Sequence, residues 1–172
     1  MGRTFACALR QDGTIACWGD NAQQQTQAPS GKFLGLAARD GFACGIRSDT
    51  TLACWGYYAN LFGLSSVPAG PFKQVAVASW NACAIRPDGT LACWGEYGSA
   101  ATPPGTFTRI AGFYGPGYDY DTMCGIHTDG FMACWYDGAA SIGLTVSGNF
   151  TQIGGGYGAM CVVDAGGSVS CP

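Results

Sequence analysis

The sequence predicts an all-β fold, a β-propeller of about five three- to four-stranded blades, and three observations support this. One stretch, FACALRQDGTIACW at residues 5–18, is followed by four further copies of the same pattern. All ten cysteines fall inside the five copies, and the two cysteines of each copy lie ten residues apart. Equivalent cysteines recur after 37, 39, 41 and 37 residues, a period typical of propellers, solenoids and other repeat arrays.

Each copy predicts a β-hairpin. In the first copy Asp12-Gly13 separates two short alternating runs, and an Asp-Gly pair at such a place is a strong hairpin signal. If the turn is centred on Asp12, Cys7 lies opposite Cys17. Directly opposed Cβ atoms are about 4.5–5.5 Å apart, near the separation that a disulfide needs. The five copies span residues 5–18, 42–55, 81–94, 122–135 and 159–172.

The cysteines are expected to form one disulfide within each hairpin. Ten cysteines allow many connectivities, but the fivefold repetition favours the local one. The alternative is a zinc site, which would favour closely spaced cysteines and histidines, whereas the sequence contains one histidine. The expected pairs are Cys7–Cys17, Cys44–Cys54, Cys83–Cys93, Cys124–Cys134 and Cys161–Cys171.

Both faces of each hairpin are apolar, which predicts burial on both sides, because a half-exposed hairpin would alternate apolar with polar residues. Small alanines beside one large tryptophan indicate sheets that stack face to face, as propeller blades do. In the first copy one face carries Cys7, Leu9, Ile15 and Cys17, and the other carries Ala6, Ala8, Ala16 and Trp18.

A second element recurs before hairpins two to five. It begins with Phe, has Leu, Val or Ile three residues later and ends in Ala or Gly. We interpret it as the strand nearest the propeller axis, where only small residues fit. It spans residues 33–38, 72–78, 107–112 and 150–155. The segments that follow the tryptophans are predicted to be loops, at residues 19–29, 56–67, 95–104 and 136–146.

Composition and charge exclude two classes of partner. The net charge of −3 argues against nucleic acid, because phosphate binding requires a basic face. No segment approaches the ~20 apolar residues of a membrane span.

Residues 1–172 are expected to form one domain. The N-terminus lacks a signal-peptide pattern, yet paired cysteines imply an oxidising compartment. We therefore expect a secreted or cell-surface protein whose export signal has been removed.

The pattern C-x-[IL]-x-x-DG-x-[LI]-x-C-W-G, followed by P-P-G-x-F-x-x-I-x-x-G, resembles the repeat of the regulator-of-chromosome-condensation superfamily. It is closest to the disulfide-bearing variety in exported bacterial proteins, and it is similar to the ectodomains of Crinkly-type plant receptors. The resemblance implies a propeller, typically of seven blades, that acts by binding. The family's Asn after Trp-Gly is present only as Asn21, and Pro172 stands where the fifth Trp is expected. The resemblance therefore implies a fold and not an activity.

The sequence offers no catalytic arrangement, and we expect a protein that is not an enzyme and uses no cofactor or metal. His127 lies where three other copies have Arg, at a strand position predicted to face solvent. The repeated aspartates occupy one turn position and are turn formers.

Aromatic residues outside the repeated core are the candidate binding residues. Tyr combines a rigid apolar body with a polar tip, which suits protein recognition and also stacking on sugars. The alternative is that these side chains only seal gaps between blades. The candidates are Tyr57, Tyr58, Trp80, Tyr97, Tyr114, Tyr118, Asp119, Tyr120 and Tyr136.

These patterns predict a secreted, non-enzymatic binding or scaffold propeller whose partner is another protein or further copies of itself. A lectin-like propeller is the alternative, although the loops share few polar residues. Asn149, in the sequon Asn149-Phe150-Thr151, is a candidate glycosylation site if its turn is exposed. The five hairpins are expected either to close into a small ring or to form an open arc completed by another copy.

Overall fold

The computed structural model describes residues 5–39, 41–56, 63–64, 66–96, 102–114, 121–136, 139–156 and 159–171. These ranges contain fifteen strands and no helix. The strands are β1 (Phe5–Leu9), β2 (Ile15–Gly19), β3 (Phe33–Arg39), β4 (Phe42–Arg47), β5 (Leu52–Gly56), β6 (Gln74–Val77), β7 (Asn81–Ile85), β8 (Leu91–Gly95), β9 (Phe107–Tyr114), β10 (Asp121–His127), β11 (Met132–Tyr136), β12 (Ala139–Val146), β13 (Phe150–Gly155), β14 (Met160–Asp164) and β15 (Val169–Ser170).

The strands form five antiparallel sheets in chain order, which we number as blades 1 to 5. Blade 1 is β1-β2, blade 2 is β3-β4-β5 and blade 3 is β6-β7-β8. Blade 4 is β9-β10-β11-β12, and blade 5 is β13-β14-β15. The all-β prediction is confirmed, and blades 2 to 5 have the predicted three to four strands, whereas blade 1 has two strands in the described residues.

The prediction of a loop at 136–146 is wrong, because β12 occupies most of that segment and pairs with β11. The physical reason is visible in the sequence, where Ile142, Leu144 and Val146 alternate with other residues at the two-residue period of a strand. Pairing also covers an edge of β11 that would otherwise present unpaired backbone groups.

The predicted hairpin register is confirmed. Cys7 lies opposite Cys17 and Leu9 opposite Ile15, and the other four hairpins repeat this register at their cysteines or beside them. The five expected disulfides are all present, with Cα–Cα distances of 4.0–4.2 Å, and there is no free cysteine. Each bridge therefore links the two strands of one hairpin.

The turns of the first four hairpins are each hydrogen-bonded to the next blade. The backbone N–H of Phe33, at the start of blade 2, donates to the carbonyl of Gly13 in the turn of blade 1, at 2.8 Å. The same bond recurs between blades 2 and 3, 3 and 4, and 4 and 5, with N···O distances of 2.9, 2.8 and 3.2 Å. The accepting residue has a positive φ, which is +83° at Gly13 and +69° at Thr50. The turn conformation thus aims a carbonyl at the neighbouring blade.

The turn aspartates are fixed by the threonine two residues later. The Asp49 carboxylate accepts hydrogen bonds from the Thr51 hydroxyl at 2.6 Å and from its backbone N–H at 3.0 Å. The hydroxyl bond, followed by the backbone bond, lowers the pKa of Asp49 below its ordinary value of 3.8. Asp12 and Asp88 have the same two bonds, and their pKa values are lowered for the same reason.

Stability is therefore expected to fall in acid. A carboxyl whose pKa is lower in the folded chain contributes stability above the pKa of the unfolded chain, and loses it as the pH falls through the folded value. The urea midpoint should thus be constant near pH 6 and decrease below about pH 4. Thr51→Val removes the hydroxyl bond, which is the strongest of the bonds at Asp49. The variant's urea midpoint should therefore decrease less between pH 6 and acid than that of the wild type. Equal pH dependence in Thr51→Val and the wild type would contradict this.

Successive blades stack with opposite faces in contact. We call the side that carries the disulfide the cysteine face, and the side that carries the alanines and the tryptophan the tryptophan face. In one buried cluster Cys44, Ile46 and Leu52 of blade 2 pack with Ala84 and Trp94 of blade 3. The cysteine faces of blades 3 and 4 pack in the same way on the tryptophan faces of blades 4 and 5. The predicted face-to-face stacking is confirmed.

The first strands of blades 2 to 5 lie side by side, each in contact with the next. Gln74 on β6 donates to the carbonyl of Ile110 on β9 at 2.9 Å and accepts its N–H at 3.2 Å. Further along β9, a Cβ added to Gly112 would lie 2.2 Å from the Val77 carbonyl oxygen of the preceding blade. A glycine is thus required at position 112, because blades 3 and 4 converge there.

Candidate protein-interaction surface

The repeated tryptophans are anchored beneath the loop that follows the preceding blade. The Trp55 indole N–H donates to the carbonyl of Gln25, and the Trp94 indole N–H to the carbonyl of Leu64, both at 3.0 Å. Trp55, Trp94 and Trp135 are 7%, 5% and 2% exposed. In these three blades the tryptophan is therefore part of the junction between blades.

Trp18 has a different environment although its sequence context is the same. It is 57% exposed, and within the described ranges no blade packs on its side of blade 1. Ala8, on the same face, is also exposed. The tryptophan face of blade 1 is thus an apolar surface of the kind that elsewhere in this chain is covered by a neighbouring blade.

The cysteine face of blade 5 is the second such surface. Val169 is 68% exposed, whereas its equivalents Leu91 and Met132 are buried in the clusters between blades. Cys171 is exposed, and Cys161 and Val163 are half-buried. Large exposed apolar patches on soluble proteins mark interaction sites. We therefore take these two faces as the candidate interaction surface.

Most of the aromatic residues predicted as binding residues lie outside the described part of the chain. For Tyr114 and Tyr136 the structure gives backbone positions at the end of β9 and of β11, opposite Asp121 and Thr122 and hence at the same end of blade 4. Their assignment as binding residues stays a prediction. The candidates outside the described residues are Tyr57, Tyr58, Tyr97, Tyr118, Asp119 and Tyr120.

Trp80 lies in the connection between β6 and β7. It is half-buried, and its carbonyl accepts the N–H of Glu96 at 3.1 Å, so it sits where β8 ends. It therefore lies at the same end of its blade as Gly95 and Glu96. Its role in binding stays a prediction.

His127 does not face solvent freely, so that part of the prediction is wrong. Its ring lies on the ring of Phe107, with 4.0 Å between ring centroids. The equivalent Arg47 lies over Phe33, with its guanidinium carbon 5.4 Å from the ring centroid. The position is paired with the first residue of the inner strand, and a flat side chain there covers the phenylalanine. In the structure His127 is thus a packing residue.

Asn149 lies in the turn before β13 and is exposed. Its carbonyl accepts the N–H of Ala165 at 2.8 Å, so the backbone is fixed while the side chain is accessible. The condition set for glycosylation is met, and the modification itself stays a prediction.

A buried glutamine is the residue that the sequence analysis missed. Gln25 is 0% exposed, and its Oε1 accepts the N–H of Gln23 at 2.8 Å. Its Nε2 has no hydrogen-bond partner within the described part of the chain. The equivalent residue of the next repeat is Leu64, likewise thirty positions before its tryptophan. Alignment of the repeats on that spacing would have identified an amide at an apolar position.

Gln25→Leu is therefore expected to raise the free energy of unfolding by about 1 kcal/mol, because an unsatisfied buried donor is removed. The reverse change, Leu64→Gln, should lower it by roughly 3 kcal/mol, because an amide would be buried in a filled apolar site. Urea unfolding of the two variants beside the wild type measures both values. Leucine also removes the acceptor of the Gln23 N–H, so a loss of stability in Gln25→Leu would show that this bond outweighs the unsatisfied Nε2 donor.

In the described residues no group of three or more His, Cys, Asp or Glu side chains could hold a metal ion. The same residues include no helix long and apolar enough to cross a membrane.

Five antiparallel sheets that stack face to face in chain order, with their inner strands side by side, define a β-propeller. The first repeat is similar to a known family, since the family described as "Regulator of chromosome condensation (RCC1) repeat" matches residues 1–25. Known propellers of this type have the same fold, which confirms the resemblance inferred from the repeats.

The chain is similar to the entire ectodomain of the receptor kinase CR4 from Physcomitrella patens, with a TM-score of 0.74, 23% identity and coverage of 99% of this chain and 49% of that one. It is also similar to the CRINKLY WD40 ectodomain of the Arabidopsis thaliana receptor kinase ACR4, with a TM-score of 0.72, 23% identity and coverage of 97% of this chain and 64% of that one. For Prp20p from Saccharomyces cerevisiae the TM-score is 0.69 and the identity 14%, and the match covers 91% of this chain and 52% of that one.

The chain thus spans about half the length of the CR4 and Prp20p chains. No curated protein sequence matches it significantly.

Proposed function

We propose that this chain is an extracellular, non-enzymatic propeller that binds other proteins. The observation that carries the proposal is the propeller fold, which the chain shares with two receptor-kinase ectodomains and with Prp20p. Among the described residues Trp18 is 57% exposed, although its equivalents in blades 2 to 4 are buried. Tryptophan is enriched among the residues that contribute most to protein–protein binding. A flat apolar sheet face fits a protein surface better than a small ligand, which prefers a concave site.

The disulfides support an extracellular location. Each of the five blades contains one disulfide, and no described cysteine is free. Disulfide bonds persist in oxidising compartments and are rare in the cytosol. The CR4 and ACR4 structures are ectodomains of receptor kinases. Thiol alkylation of the protein in its native cells should find no free cysteine, and labelled thiols in several blades would contradict this location.

Protein is the favoured class of partner. Prp20p, which has the same fold, binds Gsp1p and histones. The net charge of −3 disfavours nucleic acid as a ligand of this chain.

The polar groups support a binding role over a catalytic one. The turn carboxylates accept hydrogen bonds from their own turns, and the ring of His127 is used in packing on Phe107. These side chains stabilise the blades, which leaves them poorly placed to act on a substrate.

The proposal can be tested with a photo-crosslinking residue at position 18, on oxidised chain offered to the surface proteins of its source cells. We expect protein adducts at position 18 and none at a matched position in the exposed turn at Ser48. A glycan array run in parallel tests the lectin alternative. Absence of protein adducts, with saturable binding to a glycan that free sugar displaces, would replace protein binding with carbohydrate binding.

A further inference from the structure

The outer edge of blade 2 is a strand edge that no other strand of the described ranges covers. β5 is the last strand of its sheet, as β8 is in blade 3, whereas the equivalent strand of blade 4, β11, is paired with β12. The exposure of the equivalent alanines follows this difference, since Ala133 is 2% exposed, Ala92 is 9% exposed and Ala53 is half-buried. Of these three strands, β5 thus has the most accessible edge.

The disulfide position determines which backbone groups of β5 point outward. In an antiparallel pair, opposed residues that exchange no hydrogen bonds have Cα atoms about 4.5 Å apart, and hydrogen-bonded pairs about 5.5 Å apart. Cys44 and Cys54 lie opposite each other with a Cα–Cα distance of 4.1 Å, so they exchange no hydrogen bonds. The N–H and C=O of Cys54 therefore point away from β4, towards the outer edge. Leu52, two residues earlier, has the same orientation because the two kinds of pair alternate along the strand.

Blade 4 shows what an edge of this kind accepts. Cys134, the equivalent of Cys54, has the same orientation, since its disulfide has a Cα–Cα distance of 4.0 Å, and it lies opposite Leu144 of β12. Met132, two residues earlier, lies opposite Val146, which packs against the cluster between blades 4 and 5. The sequence of β12, AASIGLTV, carries no charge. The edge of β11 is thus covered by an antiparallel, uncharged strand that places an aliphatic residue beside the junction of two blades.

β5 has none of the features that protect a free strand edge. Soluble proteins block such edges with charged residues, proline or a bulge, whereas β5 reads LACWG and pairs with β4 without a shift of register. We propose that the edge of β5 is a docking site for an extended, uncharged segment of a partner protein, which adds to blade 2 as an antiparallel fourth strand. The segment exchanges backbone hydrogen bonds with Leu52 and Cys54 and carries aliphatic side chains at alternate positions. This inference rests on the proposed protein-binding function and adds the mode of binding.

Amide hydrogen exchange of the oxidised full chain tests whether the edge is free. The Cys54 N–H should exchange at least about 100-fold faster than the Cys134 N–H, which faces β12. Both cysteines lie between an alanine and a tryptophan, so their intrinsic exchange rates match. Equal protection of the two amides would show that another part of this chain covers the edge of β5, and would overturn the inference.

The probe for binding is a peptide with the sequence of residues 139–146, followed by two lysines for solubility. At a free peptide concentration of ten times its dissociation constant, exchange of the Cys54 N–H should slow about tenfold, because only the free edge exchanges. The matched control peptide is N-methylated at the residues that correspond to Leu144 and Val146, which removes the donors that would face β5, and it should not slow exchange. A peptide N-methylated only at the residue that corresponds to Thr145 keeps those donors and should bind as the unmodified peptide does.

Two results of the titration overturn strand addition. One is equal binding of all three peptides, which would indicate apolar contact without backbone pairing. The other is a Cys54 N–H whose exchange the unmodified peptide does not slow at about 1 millimolar. Either result, together with protein adducts at position 18, would overturn this mode of binding and leave the proposed function standing.

Discussion

Replacement of both Cys83 and Cys93 by alanine is expected to lower the free energy of unfolding by about 4 kcal/mol. The bridge closes a loop of about eleven residues, and loss of that constraint on the unfolded chain is worth roughly 3 kcal/mol. Both cysteines lie in the cluster between blades 3 and 4. Removal of two buried sulfur atoms therefore adds about 1 kcal/mol through lost packing.

The matched control is the pair Cys161 and Cys171, which closes a loop of the same length. Because this bridge lies on the uncovered face of blade 5, its removal should lower the free energy of unfolding by about 3 kcal/mol or less, since little packing is lost. Urea unfolding of the two double variants gives both values under the same conditions. A larger loss at the blade 5 pair than at the blade 3 pair would contradict the burial described for the two sites.

Trp94→Ala is expected to lower the free energy of unfolding by about 4 kcal/mol, the usual range for a large side chain removed from a core. The substitution also leaves the Leu64 carbonyl without the indole N–H that it accepts at 3.0 Å, in a place that water does not reach easily. In a chain of stacked repeats the loss weakens the junction on which blades 2 and 3 depend.

Trp18→Ala is the matched control, since Trp18 occupies the same position in its hairpin. With more than half of its surface exposed, it should contribute less than about 1 kcal/mol to the stability of a single chain. Thermal or urea unfolding of the two variants beside the wild type compares the two losses. Equal losses would mean that the face of blade 1 is covered within the chain.

The sequence was sufficient to predict the hairpins, the disulfides and the inner strands, because these depend on local spacing. Cys7 and Cys17 pair because the turn at Asp12 sets their register, and no distant residue is needed. The small residues at the ends of the inner strands were also predictable, since Gly112 approaches the backbone of the preceding blade. The stacking rule follows from the apolar character of both hairpin faces.

The misses have non-local causes. Strand β12 forms because it covers the edge of β11, and a segment seen alone does not reveal which edge is open. Trp18 and Trp55 have nearly the same neighbours in sequence, yet within the described ranges only Trp55 has a loop above it that accepts its indole N–H. Exposure at the candidate surface is set by what stacks on a blade and not by the blade's own residues. The Tyr-rich segments, which carry most of the predicted binding residues, lie largely outside the described part of the chain.

The bond from each turn to the next blade connects two backbone groups, with the Gly13, Thr50, Gly89 and Gly130 carbonyls as acceptors. The side chain of the accepting residue affects this bond only because that residue must adopt a positive φ. This turn-to-blade bond is thus independent of the loops after the tryptophans, which read GDNAQQQ in one repeat and GEYGSAA in another. The turn-to-blade bond and the loops after the tryptophans can therefore change independently in evolution. A whole repeat can be duplicated or lost without a new junction, while the loops diversify and acquire new partners.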